Sequence, residues 1–329
     1  MIKTCLITGA NGFVGQALCH YLWKKGLHIS ATTRQAWLDA PAYLTAYQTG
    51  DIDGFTDWSW IRQKTDTPID AIIHLAGTVH QPTIKDPNVY QRSIANATDR
   101  LAQQAILAKV KKFIYVSSQK VYGLDASDQP IHEKQFCAPD TPYGIAKLAA
   151  ERGLQKRMGT SDMDIIIVRP PLIYGKNVRG NFQQLIQLVN QHRYLPLGCA
   201  TKPRSFVGIH NLCSFLYTCL QHPKSHNQIF NISDDEDLST RQLCEKLAVQ
   251  LHQNPIFLPI PTRLMKLALT LCGKKSLYPK LFESVCLDIR HAKQLLEWRP
   301  VKNVDEELKL CHKKNIISNT RNIYDKSSH

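Results

Sequence analysis

TCLITGANGFVG, residues 4–15, decides the fold. An apolar run of strand character leads into glycines at 9, 12 and 15, and then into a segment with Val14, Leu18 and Leu22 at helical spacing. This pattern predicts strand, tight turn, helix. Gly9 permits the turn, Gly12 lets the backbone approach a pyrophosphate, and Gly15 lets the helix pack close to the strand. The N–H groups that open such a helix face an anion. Asn11, Phe13 and Val14 share that turn, so the six residues together form the expected phosphate end of a dinucleotide site.

Working outward, strand-like and helix-like segments alternate. LHISATTR is a second strand ending at Arg34; AIIHLAG (71–77) is a buried strand, and RLAQQAILAKV (100–110) a helix. KKFIYVSS (111–118) is a strand, YGIAKLAAERGLQK lies on a helix, and DIIIVRPP (164–171) is a strand. Alternation of this kind predicts an α/β fold with a Rossmann-type, doubly wound parallel sheet. Past about residue 172 the pattern loosens, which predicts a smaller C-terminal substrate-binding α/β domain. We assign 1–171 to the dinucleotide-binding domain, with 204–225 returning to it, 172–203 and 226–315 to the second domain, and 316–329 to a basic tail. IFLPIPTRLMKLALTLCG (256–273) is apolar enough to suggest membrane contact, but its prolines, Arg263 and Lys266 favour a docked amphipathic helix.

The chain has 329 residues, 43% of them hydrophobic and 21% charged, enough apolar material for a sizeable core. No apolar run is long enough to span a bilayer, and the N-terminus goes straight into a strand rather than a signal peptide. Ten scattered cysteines, without a C-x-x-C pair or a Cys/His cluster, predict a cytoplasmic protein with no metal site. The net charge is +14, but the excess is spread along the chain without an aromatic-interleaved stripe, so nucleic acid is not the expected partner.

Ligands of a doubly wound sheet sit beyond the carboxyl ends of the strands. Leu75, Ala76 and Gly77 end one such strand, and Ser118 another. At the end of the second strand an acidic residue would bind a ribose 2′-hydroxyl; Thr32, Thr33 and Arg34 stand there instead, which leans toward NADP(H) over NAD(H). Asp51, followed by Ile52, is a candidate for the adenine amino group, although a surface-loop aspartate reads equally well. Tyr143 and Lys147 lie one helical turn apart on one face. A lysine cation near a phenol favours phenolate, so Tyr143 could exchange the proton of a sugar or alcohol hydroxyl while Ser118 hydrogen-bonds the same oxygen. His80 could reach the substrate, or be a loop histidine without a role; Lys120 faces the same choice.

TGANGFVG, HLAG, VSSQKVYG, PYGIAKLAAE and RPPLIYG, in this order, resemble the extended short-chain dehydrogenases/reductases that act on nucleotide sugars. The resemblance continues through GNF (180–182), RSFVGIHNL (204–212) and DIRHAKQLLEWRP (288–300). It implies that Ser118, Tyr143 and Lys147 are catalytic, that Lys147 also binds the nicotinamide ribose, and that Pro170 lies by the nicotinamide. It further implies that Asn181 and Arg204 hold the nucleotide diphosphate of a UDP-sugar. Two positions depart from the pattern: Ser93 and Ile94 stand where an asparagine is common ahead of Thr98, and Thr33 replaces an aspartate. Within the family, LAGTVHQ and LPLGCATKPRSFVGIHNL look most like a subgroup that reduces UDP-4-keto-6-deoxy-N-acetylglucosamine to UDP-N-acetylquinovosamine for surface polysaccharide. UDP-glucose and UDP-N-acetylglucosamine 4-epimerases are the close alternative, and a non-catalytic dinucleotide sensor is an alternative of another class. A homodimer is left open.

Overall fold

The computed structural model describes residues 1–63, 68–78, 84, 86–124, 126–178 and 180–312. His80 and the tail 316–329 lie outside the described residues. The first half of the chain lays down β1 (Thr4–Thr8), α1 (Phe13–Lys24), β2 (His28–Thr33), β3 (Leu44–Gln48), α2 (Trp60–Gln63) and β4 (Ala71–His74). There follow α3 (Pro87–Tyr90), a π-helical stretch over Gln91–Asn96, α4 (Ala97–Leu107), β5 (Lys112–Val116), α5 (Pro142–Gln155) and β6 (Asp164–Arg169). These six strands and the later β11 (Gln228–Asn231) form one parallel sheet in the order β11-β6-β5-β4-β1-β2-β3. Chain order reverses between β1 and β4, so the crevice of this doubly wound sheet opens there, beyond Thr8 and His74.

β1, β4, β5 and β6 are buried almost throughout, and their apolar side chains pack against helices on both faces. That is why they read as continuous Val/Ile/Leu runs rather than alternating ones. β3 was not visible in the sequence: it is an edge strand whose side chains are half-buried or exposed, so LTAYQ has no apolar signature.

The second half weaves between the sheet and a smaller layer. β7 (Leu172–Tyr174) pairs with β10 (Phe206–Gly208), β8 (Tyr194–Leu195) with β13 (Ile256–Phe257), and β9 (Pro203–Arg204) with β12 (Leu238–Ser239). α6 (Asn181–Gln191), α8 (Thr240–Leu251) and α12 (Val304–His312) share a core built on Tyr174, Phe182, Phe206 and Phe282. α7 (Ile209–Gln221) packs against α1 and adds Leu212, Phe215 and Leu216 to the core of the sheet. The boundary expected at 226 is therefore misplaced. β11 belongs to the sheet, and Ile289, Ala292, Leu296 and Trp298, on and flanking α11 (Arg290–Leu295), pack in the same core as β1.

Helix ends follow the sequence closely. Ser239 caps α8 in a reciprocal capping box with Gln242, and Thr141 caps α5 through the Gly144 N–H, with Pro142 in the first turn. α9 (Thr262–Leu271) and α10 (Leu277–Phe282) pack on each other. α9 docks by one face only: Met265 and Leu269 reach the core, and no residue of the helix is fully buried.

The turn after β1 is where backbone space is tightest. A Cβ on Gly15 would overlap the carbonyl oxygen of Gly9 and come within 2.6 Å of the Ala10 Cα, and Gly9 itself is left-handed at φ +68°. Gly15→Ala is accordingly expected to cost about 1–3 kcal/mol through overpacking of the β1–α1 turn. Urea unfolding would show this as a lowered midpoint at unchanged slope.

Candidate active site

The carboxyl ends of the strands are tied together by a chain of buried hydroxyl and imidazole groups. Thr8 Oγ1 accepts from the Leu75 and Ala76 N–H groups at 3.2 and 3.1 Å and lies 2.7 Å from His74 Nδ1. His74 Nε2 lies 3.1 Å from Thr98 Oγ1. With its oxygen already accepting twice, the Thr8 hydroxyl donates to Nδ1, which leaves the ring proton on Nε2 for Thr98. Burial pushes the His74 imidazole down to about 3, with Lys147 adding to the effect, so it stays neutral and serves as a fixed bridge. This clamp sets the Leu75–Gly77 backbone against the glycine turn, where a Cβ on Gly9 would meet Ala76 at 3.1 Å.

The residues present fit a dinucleotide. A Cβ at Gly15 would fill the floor of the turn, and one at Gly12 would come within 3.2 Å of the Gly9 carbonyl. No side chain caps α1 at Gly12, and its first turn holds no acidic residue, so its opening N–H groups suit a pyrophosphate. Asn11 is exposed at the rim, Val14 packs on the core of the sheet, and Phe13 bridges the two cores near Gly175.

At the end of β2 the geometry is less suited to a 2′-phosphate than Thr32, Thr33 and Arg34 promised. Both threonines are buried, Thr33 Oγ1 donates to the Gln35 carbonyl at 2.7 Å, and exposed Arg34 is ion-paired with Asp51 at 3.1 Å. Ile52, next in line, is half-buried against the core beneath α4.

Ser118, Tyr143 and Lys147 come together. Ser118 follows β5 and caps a short 3-10 turn, accepting from the Lys120 N–H at 3.2 Å, which aims its hydroxyl back toward α5. Its side chain is hydrogen-bonded to half-buried Tyr143, whose ring meets Tyr90 edge-on at 6.0 Å. Lys147, one turn along, is 5% exposed and donates to the Val116 carbonyl at 2.9 Å. Its Nζ lies 4.7 Å over the Tyr115 ring and 5.9 Å from the centre of the Tyr143 ring.

Lys147 and the positive end of a nicotinamide together are expected to lower the phenol; in the protein by itself a different cause dominates. Burial instead pushes Tyr143 up to about 12, against the lowering effect of the Ser118 hydrogen bond, while burial brings Lys147 down to about 8.

Beneath the pair lies a network that the sequence did not reveal. Glu151, a further turn along α5 and fully buried, takes the Arg169 guanidinium on both oxygens, with Nη2 at 2.5 Å. Arg169 Nη1 donates to Tyr122 Oη at 3.0 Å, and Tyr122 donates to Asn231 Oδ1 at 2.7 Å. Glu151 opposes the effect of burial on Lys147 and keeps the ammonium charged. The signal available was the helical spacing of 143, 147 and 151, with an arginine ending the adjacent strand.

The departure at Ser93 and Ile94 falls in the π-helical stretch, which packs against α5. Ser93 Oγ donates to the Val89 carbonyl and bonds the Thr78 hydroxyl, both at 2.8 Å, and Ile94 is fully buried close to Gly77.

A cavity of about 530 Å³ opens beside Ser118 and Tyr143, between the strand ends and the C-terminal layer. Lys120, Pro170 and Arg204 line it, as do Ser117, Gln119 and Lys280, which sequence reasoning missed. Ser117 Oγ and Gln119 Oε1 are buried there without a hydrogen-bond partner among the described residues. Arg204 Nη1 donates to the Pro279 and Glu283 carbonyls at 2.6 and 2.7 Å, holding α10 against the cavity. Asn181 opens α6 after left-handed Gly180; its side chain lies outside the description.

Two outcomes follow. An unfolded lysine titrates near 10.5 and folded Lys147 near 8, so below pH 8 both states are protonated and the folded state carries the full cost of burial. Between pH 8 and 10.5 the unfolded chain binds more protons, and this group makes stability rise with pH. Lys147→Met should therefore be more stable than the parent by about 2 kcal/mol at neutral pH, and the advantage should shrink across that window in urea melts. Glu151→Gln should do the opposite, losing about 3–5 kcal/mol by stranding the Arg169 charge.

With the site in view, the likeness to known proteins is informative. The family model for the NAD dependent epimerase/dehydratase family matches residues 5–233. A Vibrio cholerae protein named UDP-glucose 4-epimerase is 34% identical over 327 residues, covering 98% of each chain. The GDP-6-deoxy-D-mannose reductase of Pseudomonas aeruginosa is 29% identical over 262 residues, 75% of this chain and 80% of its own. In fold, the chain is similar to the UDP-glucuronic acid 4-epimerase of Bacillus cereus in complex with NAD (TM-score 0.75, 22% identity, 94% and 97% of the two chains). The chain thus belongs to the NAD dependent epimerase/dehydratase family, and is an enzyme built on its Rossmann-type sheet.

Proposed function

We propose that the protein is an NAD-dependent oxidoreductase of a UDP-hexose, acting at C4, and that it works as a 4-epimerase. The observation that carries the reading is the Ser118–Tyr143 pair opening onto one cavity that three cations, Lys120, Arg204 and Lys280, also line. A sugar hydroxyl matches the Ser118–Tyr143 pair, and a diphosphate matches the cations. Likeness over 98% of both chains to a protein named UDP-glucose 4-epimerase supports the choice of epimerase.

When bound, oxidised NAD supplies the hydride acceptor and a positive charge. Gly9, Gly12 and Gly15, with the Asn11–Val14 backbone, would hold its pyrophosphate, and Leu75–Gly77 would line its path across the crevice. Asp51–Ile52 would meet the adenine, and Lys147 and Pro170 the nicotinamide end. NAD(H) suits the β2 end better than NADP(H), because a 2′-phosphate would have to share Arg34 with the Asp51 carboxylate.

Tyr143 is a neutral phenol at working pH while its pKa lies near 12. Added positive charge lowers that value and lets the phenolate take the C4 hydroxyl proton as the C4 hydride departs. Ser118 hydrogen-bonds the same oxygen in both directions of the reaction. Lys147 positions the phenol and stabilises its anion, while Arg204, Lys120 and Asn181 serve the diphosphate end. Return of the hydride to the opposite face of the 4-keto sugar, and of the proton from Tyr143, gives the epimer.

The reductase reading, conversion of UDP-4-keto-6-deoxy-N-acetylglucosamine to UDP-N-acetylquinovosamine, is favoured by the LAGTVHQ and LPLGCATKPRSFVGIHNL segments. The two readings separate in one assay. An epimerase interconverts UDP-glucose and UDP-galactose, or their N-acetylamino counterparts, without net change in nicotinamide absorbance. A reductase instead consumes stoichiometric NAD(P)H with the 4-keto sugar. In either assay Tyr143→Phe should lower turnover by about a hundredfold or more. Near parental turnover in that variant would sink the proton-transfer role.

A further inference from the structure

α9 is apolar on two sides. Met265 and Leu269 face inward, to the core beneath α6 and α8. Leu264, Leu267 and Leu271 follow one another at helical spacing on another face and are 56%, 57% and 79% exposed. A helix apolar on both faces is normally covered on both. Ile256 and Leu258, just ahead of it, add to the exposed apolar surface.

The charge around this stripe has one sign. From Ile256 to Phe282 the chain carries, besides Lys280 of the cavity wall, Arg263, Lys266, Lys274 and Lys275, and neither aspartate nor glutamate. The next residue, Glu283, is ion-paired to Lys202. Leucines flanked by cations match the interface of an anionic bilayer, where acyl chains take the apolar face and phosphates the cations. A second copy of this chain would bring the same cations face to face and be repelled. No helix among the described residues is long and apolar enough to cross a membrane, so the contact is with a surface.

We propose that the outer face of α9, with the cations around it, is a docking surface for an anionic phospholipid bilayer. α10, which packs on α9 through contacts such as Lys266 over the Tyr278 ring at 5.5 Å, carries Leu277, Lys280 and Leu281 of the cavity wall. Docking therefore places the substrate cavity next to the membrane surface. This goes beyond the proposed chemistry and does not depend on it.

The test is cosedimentation of the full chain with phosphatidylcholine vesicles, with and without phosphatidylglycerol. The protein should bind only the anionic vesicles, and added salt should weaken binding. Because the chain is basic overall, the deciding variant changes no charge. Leu264→Ser/Leu267→Ser/Leu271→Ser should bind anionic vesicles at least about tenfold more weakly, with circular dichroism unchanged. Leu271→Ser alone, at the most exposed position, gives the same direction should the triple variant fail to fold. Absence of binding, equal binding to both vesicle types, or parental binding by the leucine variants would each overturn the proposal. So would a concentration-dependent dimer that the leucine variants abolish, because it would assign the face to a second copy.

Discussion

The ammonium of Lys147 is buried, and much of the architecture around the site exists to tolerate it. One carbonyl, that of Val116, and the face of Tyr115 receive it directly. Neither carries a full negative charge, so the favourable charge comes from Glu151, which is itself buried and committed to Arg169. Arg169 then needs Tyr122 and the Glu133 carbonyl, and Tyr122 needs Asn231 on the edge strand of the sheet. One buried cation on α5 is thus propagated across β6 to β11. From Glu151 through Arg169 and Tyr122 to Asn231 each member bonds the next, and a chain of this kind rigidifies the elements it joins.

The phenol and the ammonium meet from opposite directions, one raised by burial and the other lowered by it. Without added charge the stable form of the pair is neutral tyrosine beside a cationic lysine that is close to its own titration. Such a site is poised: a further positive charge shifts the phenol much more readily than it would in water, because the local dielectric is low. Burial, with the Lys147 charge adding to it, likewise keeps His74 neutral, and it serves as a clamp.

What was legible in the sequence was whatever constrains backbone or small side chains. Gly9 and Gly15 could be read because the first is left-handed and the second has no room for a Cβ. Ser118, Tyr143 and Lys147 could be placed from helix spacing and a strand end, and they do converge. The rise that burial gives the phenol was not legible, because it depends on how deeply two elements bury it, which is a property of packing. Nor was the fate of Arg34, since its pairing with Asp51 joins residues seventeen positions apart. β11 was recognised as a strand but placed in the wrong layer, because QIFNIS carries no label for the sheet it joins.

An epimerase and a reductase ask the same things of Ser118, Tyr143 and Lys147. They differ in whether the 4-keto sugar turns over before the hydride returns and in how fast oxidised cofactor leaves. Turning needs a cavity that grips the diphosphate while leaving the hexose loosely held. The cavity offers both kinds of lining: Lys120, Arg204 and Lys280 suit the diphosphate, the walls include Leu185, Leu188, Leu243, Leu277 and Leu281, and Ser117, Ser118, Gln119, Gln184 and Thr240 add polar groups. Apolar walls hold a sugar ring by shape and permit either face to be presented, whereas polar groups fix one face. Which of the two governs the hexose is what would separate the proposed epimerase from a reductase on the same three residues.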